Sequence, residues 1–543
     1  MAQPVWRPDR RLLLRMGMFG AGALAIPGAA QSWASARGFT HGVASGEPGP
    51  TSILLWTRYV AAGERARLTA QIAEDADFAR IVASGEAHAR RTADFTAKCV
   101  VDGLHPGQSY FYRFIGPDGA HSATGRTRTL PDENAGEFRM AIFSCANIGF
   151  GYFHAYAHAA ARDDIDLAIH LGDYMYEYRM GEYPGMASRI AGRDMLPAGE
   201  AIALTDYRLR YASYRADPAL QALHARQPMV MMWDDHEFAN DTWSGGAENH
   251  DPATEGTWEA RRAAALQAWH EWMPVSDANR RHYAIGRLAD IIMPDTRMVG
   301  RSRPFDLGDI LRGSSNAAQT LSQFRDGALQ DASRSMMGME QEDWANGLIA
   351  ASVARGAKWQ VMAQQVIMGS MHSLPEIRSW FPADAPAEIR RRTDVAAIAA
   401  AARIPIFLDA WDGYPAARAR LLGATQSAGA NFISLAGDSH NAWCFNLSHD
   451  SRPVGVDFCG SSVTSPGLEA YLDVSKDMVR SMLQRANAGL VWADTAQRGY
   501  MHLHLNAQHA TNVWQLFDTV RSPTAPRPTM AQQIVRHGRN MLG

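Results

Sequence analysis

The chain has few cysteines. Only Cys99, Cys145, Cys444 and Cys459 occur in 543 residues, which excludes the disulfide-dense scaffold of small secreted domains and leaves the fold dependent on its core. It also lacks an excess of charge of either sign. With 53 Lys and Arg against 56 Asp and Glu, the net charge of -3 provides no basic field of the kind that neutralises a phosphate backbone, so a nucleic-acid partner is not expected. Beyond the first thirty residues no apolar run approaches the roughly 20 residues of a membrane-spanning helix. Low-complexity tracts, repeats of 20 to 50 residues and a glycine-rich dinucleotide motif are missing as well. What is present is a globular composition, 46% hydrophobic with 46 Gly and 26 Pro spread along the chain. The length exceeds one ordinary domain of about 100 to 200 residues, which implies a dominant domain with an accessory module.

Residues 1–36 read as an address. Arg10-Arg11 precedes Met16–Ala30, a charge-free and only mildly apolar Gly/Ala-rich run, and Ala34-Ser35-Ala36 offers small residues for cleavage before Arg37. The run is too short and too weakly hydrophobic for a permanent anchor, and the paired arginines have the form of a twin-arginine signal, whose route carries folded proteins. The expectation is an exported protein, periplasmic or extracellular, that engages the export machinery only in transit.

Residues 37–130 read as an N-terminal β-sandwich. Ser52–Thr57, Ala66–Ile72, Lys98–Val101 and Tyr110–Phe114 are short strand-like runs separated by Gly, Pro and Asp turns, the spacing of an all-β module. The turn Leu104–Tyr110 resembles the one before a late strand in fibronectin-type modules, where a Tyr closes a corner. Thr129–Gly136 has linker composition. From 138 to 543 the pattern alternates, with buried-strand runs at Phe138–Ser144, Asp166–Leu171, Met229–Trp233, Trp359–Met362, Ile404–Leu408 and Phe432–Ala436. Helices are expected at Phe153–Asp163, Thr205–Arg226, Thr257–Trp272, Glu340–Arg355 and Tyr414–Ala428. This is α/β architecture, with Met336–Ala402 read as helical cover over the sheet and a candidate lid.

Ligands in open α/β sheets bind beyond the carboxyl ends of the strands, and here those ends are polar. They read Phe143-Ser144-Cys145, Leu171-Gly172-Asp173-Tyr174-Met175-Tyr176, Trp233-Asp234-Asp235-His236-Glu237 and Ala436-Gly437-Asp438-Ser439-His440. Hard oxygens gathered at one edge repel one another unless a cation lies between them, so a metal cluster is the economical reading. Asp173 alone reads as a helix cap; with Gly437-Asp438 repeating the arrangement at a second tip, it reads as a ligand able to bridge two ions. Tyr176, three residues on, can bend back to one of them. Cys145 is a buried thiol or a thiolate ligand, and a thiolate with a phenolate suits Fe(III) better than Mg(II).

The ordered set of these motifs resembles the PhoD-like alkaline phosphatases, within the metallophosphatase fold shared with purple acid phosphatases. The resemblance covers nearly all of the mature chain: the leader, Phe39–Pro48 with Trp56-Thr57-Arg58, Phe143–Cys145, His170–Tyr178, Trp233–Glu237, Trp411–Pro415 and Gly437–Asn441. It implies an N-terminal fibronectin-like β-sandwich, a two-sheet catalytic core flanked by helices, and hydrolysis of a small phosphate ester, mono- or diester, by metal-activated hydroxide with Fe(III) and Ca(II). By position, Cys145, Asp173, Tyr176 and His440 correspond to iron ligands, with Asp173 bridging. Asp235 and Asp438 correspond to an all-oxygen site that fits Ca(II). His236 stands where relatives place a His that protonates the leaving group or binds the phosphate. Gln364, Asp234, Asn240 and Asp412 are further candidates for the surroundings of the metals, and Arg179 and Arg208 for contact with phosphate. A phospholipase D-like diesterase and an inactive phosphate- or surface-binding protein are the alternatives. Cys444 and Cys459 pair or stay free; sequence does not decide.

Overall fold

The computed structural model describes residues 36–381 and 387–542, so the leader read over residues 1–36 lies outside the described residues except for Ala36. Seven strands come first: β1 (Gly38–Gly46), β2 (Ser52–Val60), β3 (Arg65–Ala73), β4 (Ile81–Arg90), β5 (Thr96–Asp102), β6 (Ser109–Ile115) and β7 (Gly125–Arg128). They are followed by β8 (Glu137–Phe143), β9 (Leu167–His170), β10 (Pro228–Met231), β11 (Arg281–Ile285), β12 (Ala289–Met293), β13 (Trp359–Ala363) and β14 (Phe432–Ala436). The last six are β15 (Ala442–His449), β16 (Arg452–Cys459), β17 (Leu490–Asp494), β18 (Arg498–Asn506), β19 (His509–Phe517) and β20 (Thr529–Arg536).

Two large sheets form most of the fold. One runs β20-β19-β18-β8-β9-β10-β1-β2-β5 and the other β11-β12-β13-β14-β16-β15-β17. They share a core in which Met140, Ile142, Ile169 and Val230 of the first face Ile291, Val361, Leu435 and Phe458 of the second. The outer face of the first sheet packs on helices that include Leu204–Arg215 and Trp258–Trp272, and that of the second on Met339–Ala354, Pro415–Ser427 and Lys476–Ala486. Being covered on both sides explains why β9 and β10 are buried at every position and read as unbroken apolar runs. No helix among the described residues is long and apolar enough to cross a membrane.

The N-terminal strands form two leaves, β1-β2-β5 and β4-β3-β6-β7, around Leu55, Leu68, Ile72, Tyr112 and Phe114. The alternating burial of β3 and β6 marks sheets with one solvated face. The Tyr110 hydroxyl accepts a hydrogen bond from the His105 N–H at 2.9 Å and closes the turn between them. The first leaf is continuous with the rest of the nine-stranded sheet, because β1 pairs in parallel with β10 through Ser45↔Pro228 and Gly46↔Met229. Gly46 leaves room for both neighbours of β1 here: a Cβ would stand 3.0 Å from the Met229 carbonyl oxygen of β10 and 2.1 Å from that of Pro274, after the helix Trp258–Trp272.

Several expected elements change. Ile404–Leu408 forms no strand; it makes one isolated bridge, His372↔Pro405. Pro405 removes a ladder donor, and Ile404 and Leu408 instead bury into a side cluster with Leu321 and Phe324. The helix expected over Thr205–Arg226 is two, Leu204–Arg215 and Pro218–Arg226, because Asp217 caps the second by accepting from the Ala219 and Leu220 N–H groups. Within Met336–Ala402 the strand expected at Trp359–Met362 forms as β13. All four cysteines are free. Cys444 stands opposite Phe458 on β16, so it and Cys459 project to opposite faces of the sheet, into different cores, and cannot be bridged.

Candidate metal centre

Strands β8, β9 and β10 run parallel as neighbours, and β14 lies in the facing sheet; their carboxyl ends meet at one edge. The turns there are tight. Cys145, Asp173, Asp438 and His440 all adopt left-handed backbone, with φ of 59°, 53°, 58° and 60°, a conformation that costs energy in non-glycine residues and concentrates at functional sites. Gly172, at φ 108°, is required: a Cβ there would lie 2.3 Å from the Asp234 Cβ and 2.4 Å from its backbone nitrogen. Glu237 ties the β9 and β10 ends together, its carboxylate accepting from the Asp173 N–H at 3.0 Å, the Tyr174 N–H at 2.6 Å and the Asp234 N–H at 2.8 Å.

Three overlapping groups of ligand atoms result, each with its atoms within 4.8 Å of one another: Cys145, Asp173 and His440; Asp173, Asp235 and His236; Asp234, Asp235 and Asp438. Tyr176 joins the first, its hydroxyl 3.0 Å from Asp173 Oδ2 and 3.1 Å from His440 Nε2, with Ser465 donating to it at 2.7 Å. All six residues expected to bind metal are therefore gathered, with Asp173 common to two groups. His440 Nδ1 lies 3.0 Å from the Pro466 carbonyl oxygen. A carbonyl only accepts, so Nδ1 carries the proton and Nε2 presents its lone pair toward Tyr176 and Asp173.

The electrostatics call for a cation. Counting protein charges alone, burial and then the charges of Asp235, Glu237 and Asp438 push Asp173 well above the usual carboxylate range, against the opposing pull of His236. Burial and Asp173 push Cys145 up, and burial and the same carboxylate push Tyr176 up. Burial, with Arg498 and His236, lowers His440 to about 3, which keeps its imidazole neutral. Asp234 Oδ2 and Asp235 Oδ1 are buried without a hydrogen-bond partner, a costly state. A thiol, a phenol, carboxylates and an unprotonated imidazole with orphaned oxygens form a donor set that fits bound metal.

His236, 6% exposed, has Nδ1 2.7 Å from Glu177 Oε2. Burial opposes its protonation, but Asp235, Asp173 and Glu177 together hold it well above its ordinary range. Glu177 also accepts from the Asn240 N–H at 2.9 Å. Asn240 thus braces Glu177, and its own amide meets Tyr178 and Glu248 at 2.8 and 2.6 Å.

Other candidates fall outside the cluster. The Gln364 amide is engaged by Val366, Ser434 and Trp411, so it is a brace at the β13 end. Asp412 accepts from Ser370, the Met371 N–H and Arg418 and holds a turn. Arg208 pairs with Glu271 at 2.6 Å and donates to the Thr92 carbonyl, facing the N-terminal module. Arg179 is exposed. The sequence reading passed over Glu177, Glu237, Ser465 and Arg297. For Arg297 a signal existed: Ala289–Met293 is an apolar strand ending in Pro-Asp-Thr-Arg, another polar tip.

Helices outside two facing sheets, with polar strand ends gathered along one edge, define the class: a layered α/β protein with a candidate metal centre. The chain matches the PhoD-like phosphatase family over residues 140–514 and the N-terminal domain of PhoD-like phosphatases over residues 25–131. It is 32% identical over 472 residues to alkaline phosphatase D of Bacillus subtilis (strain 168), covering 81% of this chain and 72% of that protein. A solved structure of PhoD superposes with a TM-score of 0.75 at 29% identity, covering 94% of this chain and 92% of that one. The chain belongs to the PhoD-like phosphatase family, and is a hydrolase of the phosphoesterase kind.

Proposed function

We propose that the chain is an exported, metal-dependent phosphoesterase of the alkaline phosphatase D type that hydrolyses small phosphomonoesters, phosphodiesters or both. One observation carries the reading: Asp173 is shared by a group containing Cys145 and His440 and by a group containing Asp235 and His236, which is what a bridging carboxylate between two ions needs. Cys145, Tyr176 and His440 suit Fe(III), and the all-oxygen pair Asp235 and Asp438 suits Ca(II). When bound, the two metals would supply Lewis-acid charge for the phosphoryl oxygens and a water of lowered pKa. Asp173 keeps the two halves of the site in register, His440 offers Nε2 to the iron half, and His236 delivers a proton to the leaving oxygen. In this reading residues 37–130 are the accessory module and 138–543 the catalytic unit.

The test is hydrolysis by the purified mature protein of a chromogenic phosphomonoester and its diester, with and without a calcium chelator. Chelation is expected to lower turnover by at least about tenfold, restored by added calcium; chelator-insensitive hydrolysis would overturn the metal assignment. The mono-to-diester ratio separates a phosphatase from a diesterase. Export rests on the leader, where Arg10-Arg11 precedes a mildly apolar run. Exchanging both arginines for lysine is expected to leave precursor in the cytoplasm, and unchanged export in cell fractionation would exclude the twin-arginine route.

A further inference from the structure

Arg297 follows β12 in Pro294-Asp295-Thr296-Arg297 and is completely buried. Its guanidinium stands among four carboxylates. Nη1 lies 2.6 Å from Asp409 Oδ2, Nη2 lies 2.7 Å from Asp438 Oδ1 and 3.5 Å from Asp235 Oδ1, and Nε donates to Asp234 Oδ1. Asp409 is also paired with Arg301. The loop that delivers Arg297 is held by its own contacts: Asp295 Oδ1 accepts from the Arg297 and Met298 N–H groups at 2.7 and 2.8 Å, and Gln341 donates to the Asp295 carbonyl at 2.9 Å.

Three of the four carboxylates, Asp234, Asp235 and Asp438, are themselves a group of candidate metal ligands. Asp234 and Asp438 each give one oxygen to the guanidinium, and Asp234 Oδ2 and Asp235 Oδ1 keep no hydrogen-bond partner. The guanidinium and a cation would therefore share Asp234 through different oxygens, while Asp235 Oδ1 faces the guanidinium at 3.5 Å with no hydrogen bond to hold it. If these four carboxylates are ionised, Arg297 and Arg301 leave two negative charges among them, to which the neighbouring Asp173 and Asp241 add and His236 is opposed. Without Arg297 the surplus would be three, in surroundings where burial strengthens repulsion.

We propose that Arg297 serves as a fixed internal cation of the acidic half of the site, offsetting part of its charge and limiting the group to one exchangeable divalent ion of the calcium type. This rests on the reading that Asp235 and Asp438 hold a cation. A guanidinium suits the task because its planar fork reaches several carboxylates at once and does not lose its charge.

Charge and bracing predict opposite signs, and calcium alone is the probe. Calcium binding to chelator-treated full-length mature protein is measured by calorimetry, with bound metal counted by elemental analysis, for wild type, R297Q and D409N. D409N removes a negative charge from a residue outside the candidate ligand groups and is expected to weaken calcium binding by at least about tenfold. R297Q removes the positive charge and is expected to bind calcium at least as tightly as wild type and to take up a second ion per chain. Weaker binding in R297Q, or unchanged binding in D409N, would show that Arg297 is only a brace and would overturn the proposal. If R297Q does not fold, R297K keeps the charge without the fork and is expected to bind one calcium within a few-fold of wild type; a loss beyond about tenfold overturns the charge assignment. A wild-type protein that binds no calcium would instead refute the underlying metal reading, a result separable from these.

Discussion

Replacing Asp173 with Asn is expected to lower kcat by on the order of 10³-fold or more on every phosphate ester, while the circular dichroism spectrum and the N-terminal module remain unchanged. The side chain is 1% exposed and is the residue common to the group with Cys145 and His440 and the group with Asp235 and His236. Asn keeps the size and one carbonyl oxygen but removes the charge that two cations would share, so both halves of the site lose affinity together. The backbone turn survives, because it is set by Gly172 and by the Glu237 carboxylate bound to the Asp173 and Tyr174 N–H groups. Steady-state kinetics combined with metal analysis checks this. Retention of more than about a tenth of wild-type turnover would remove Asp173 from a bridging role.

His236→Asn is expected to lower turnover by about 10² to 10⁴-fold on alkyl phosphates, whose leaving oxygen needs a proton, and by far less on a nitrophenyl ester, whose leaving group departs as a stable anion. The reason lies in the surroundings of the ring. Its Nδ1 is engaged by Glu177 at 2.7 Å, which leaves Nε2 as the nitrogen available to substrate, and the ring lies tilted by 36° against that of Tyr176 with centroids 4.2 Å apart. Rates across a series of esters with leaving groups of graded acidity provide the measurement. An equal loss on all of them would assign His236 to phosphate binding and not to proton delivery. Metal content at the wild-type level is the result expected of a proton donor; loss of metal would make the ring a ligand in its group with Asp173 and Asp235.

The strand ends were legible in the sequence because they are local. A buried strand followed by Gly-Asp, Asp-Asp-His or Gly-Asp-Ser-His announces itself within a few residues, and side chains at the ends of parallel neighbours must converge wherever the sheets lie. For this reason Cys145, Asp173, Tyr176, Asp235, Asp438 and His440 could be named before their distances were known, and the structure places them together. Boundaries read less well where one residue carries the decision. Pro405 turns an apolar run into a buried loop, and Asp217-Pro218 divides one expected helix into two.

The sequence by itself determined the class of fold, the order of the strands that bear ligands and the chemical kind of each donor, since these follow from periodicity and from the residue at each tip. Tertiary structure alone decided the rest. It merged the first leaf of the N-terminal module with the catalytic sheet through β1 and β10, turned Cys444 and Cys459 to opposite faces of one sheet, and set Glu177 behind His236. It also brought Arg297 from a separate strand end into a group of acids lying 62 to 141 residues away in the chain. The physical reason is common to these cases: each depends on a long-range approach of two elements, which packing and charge balance select and no local pattern encodes.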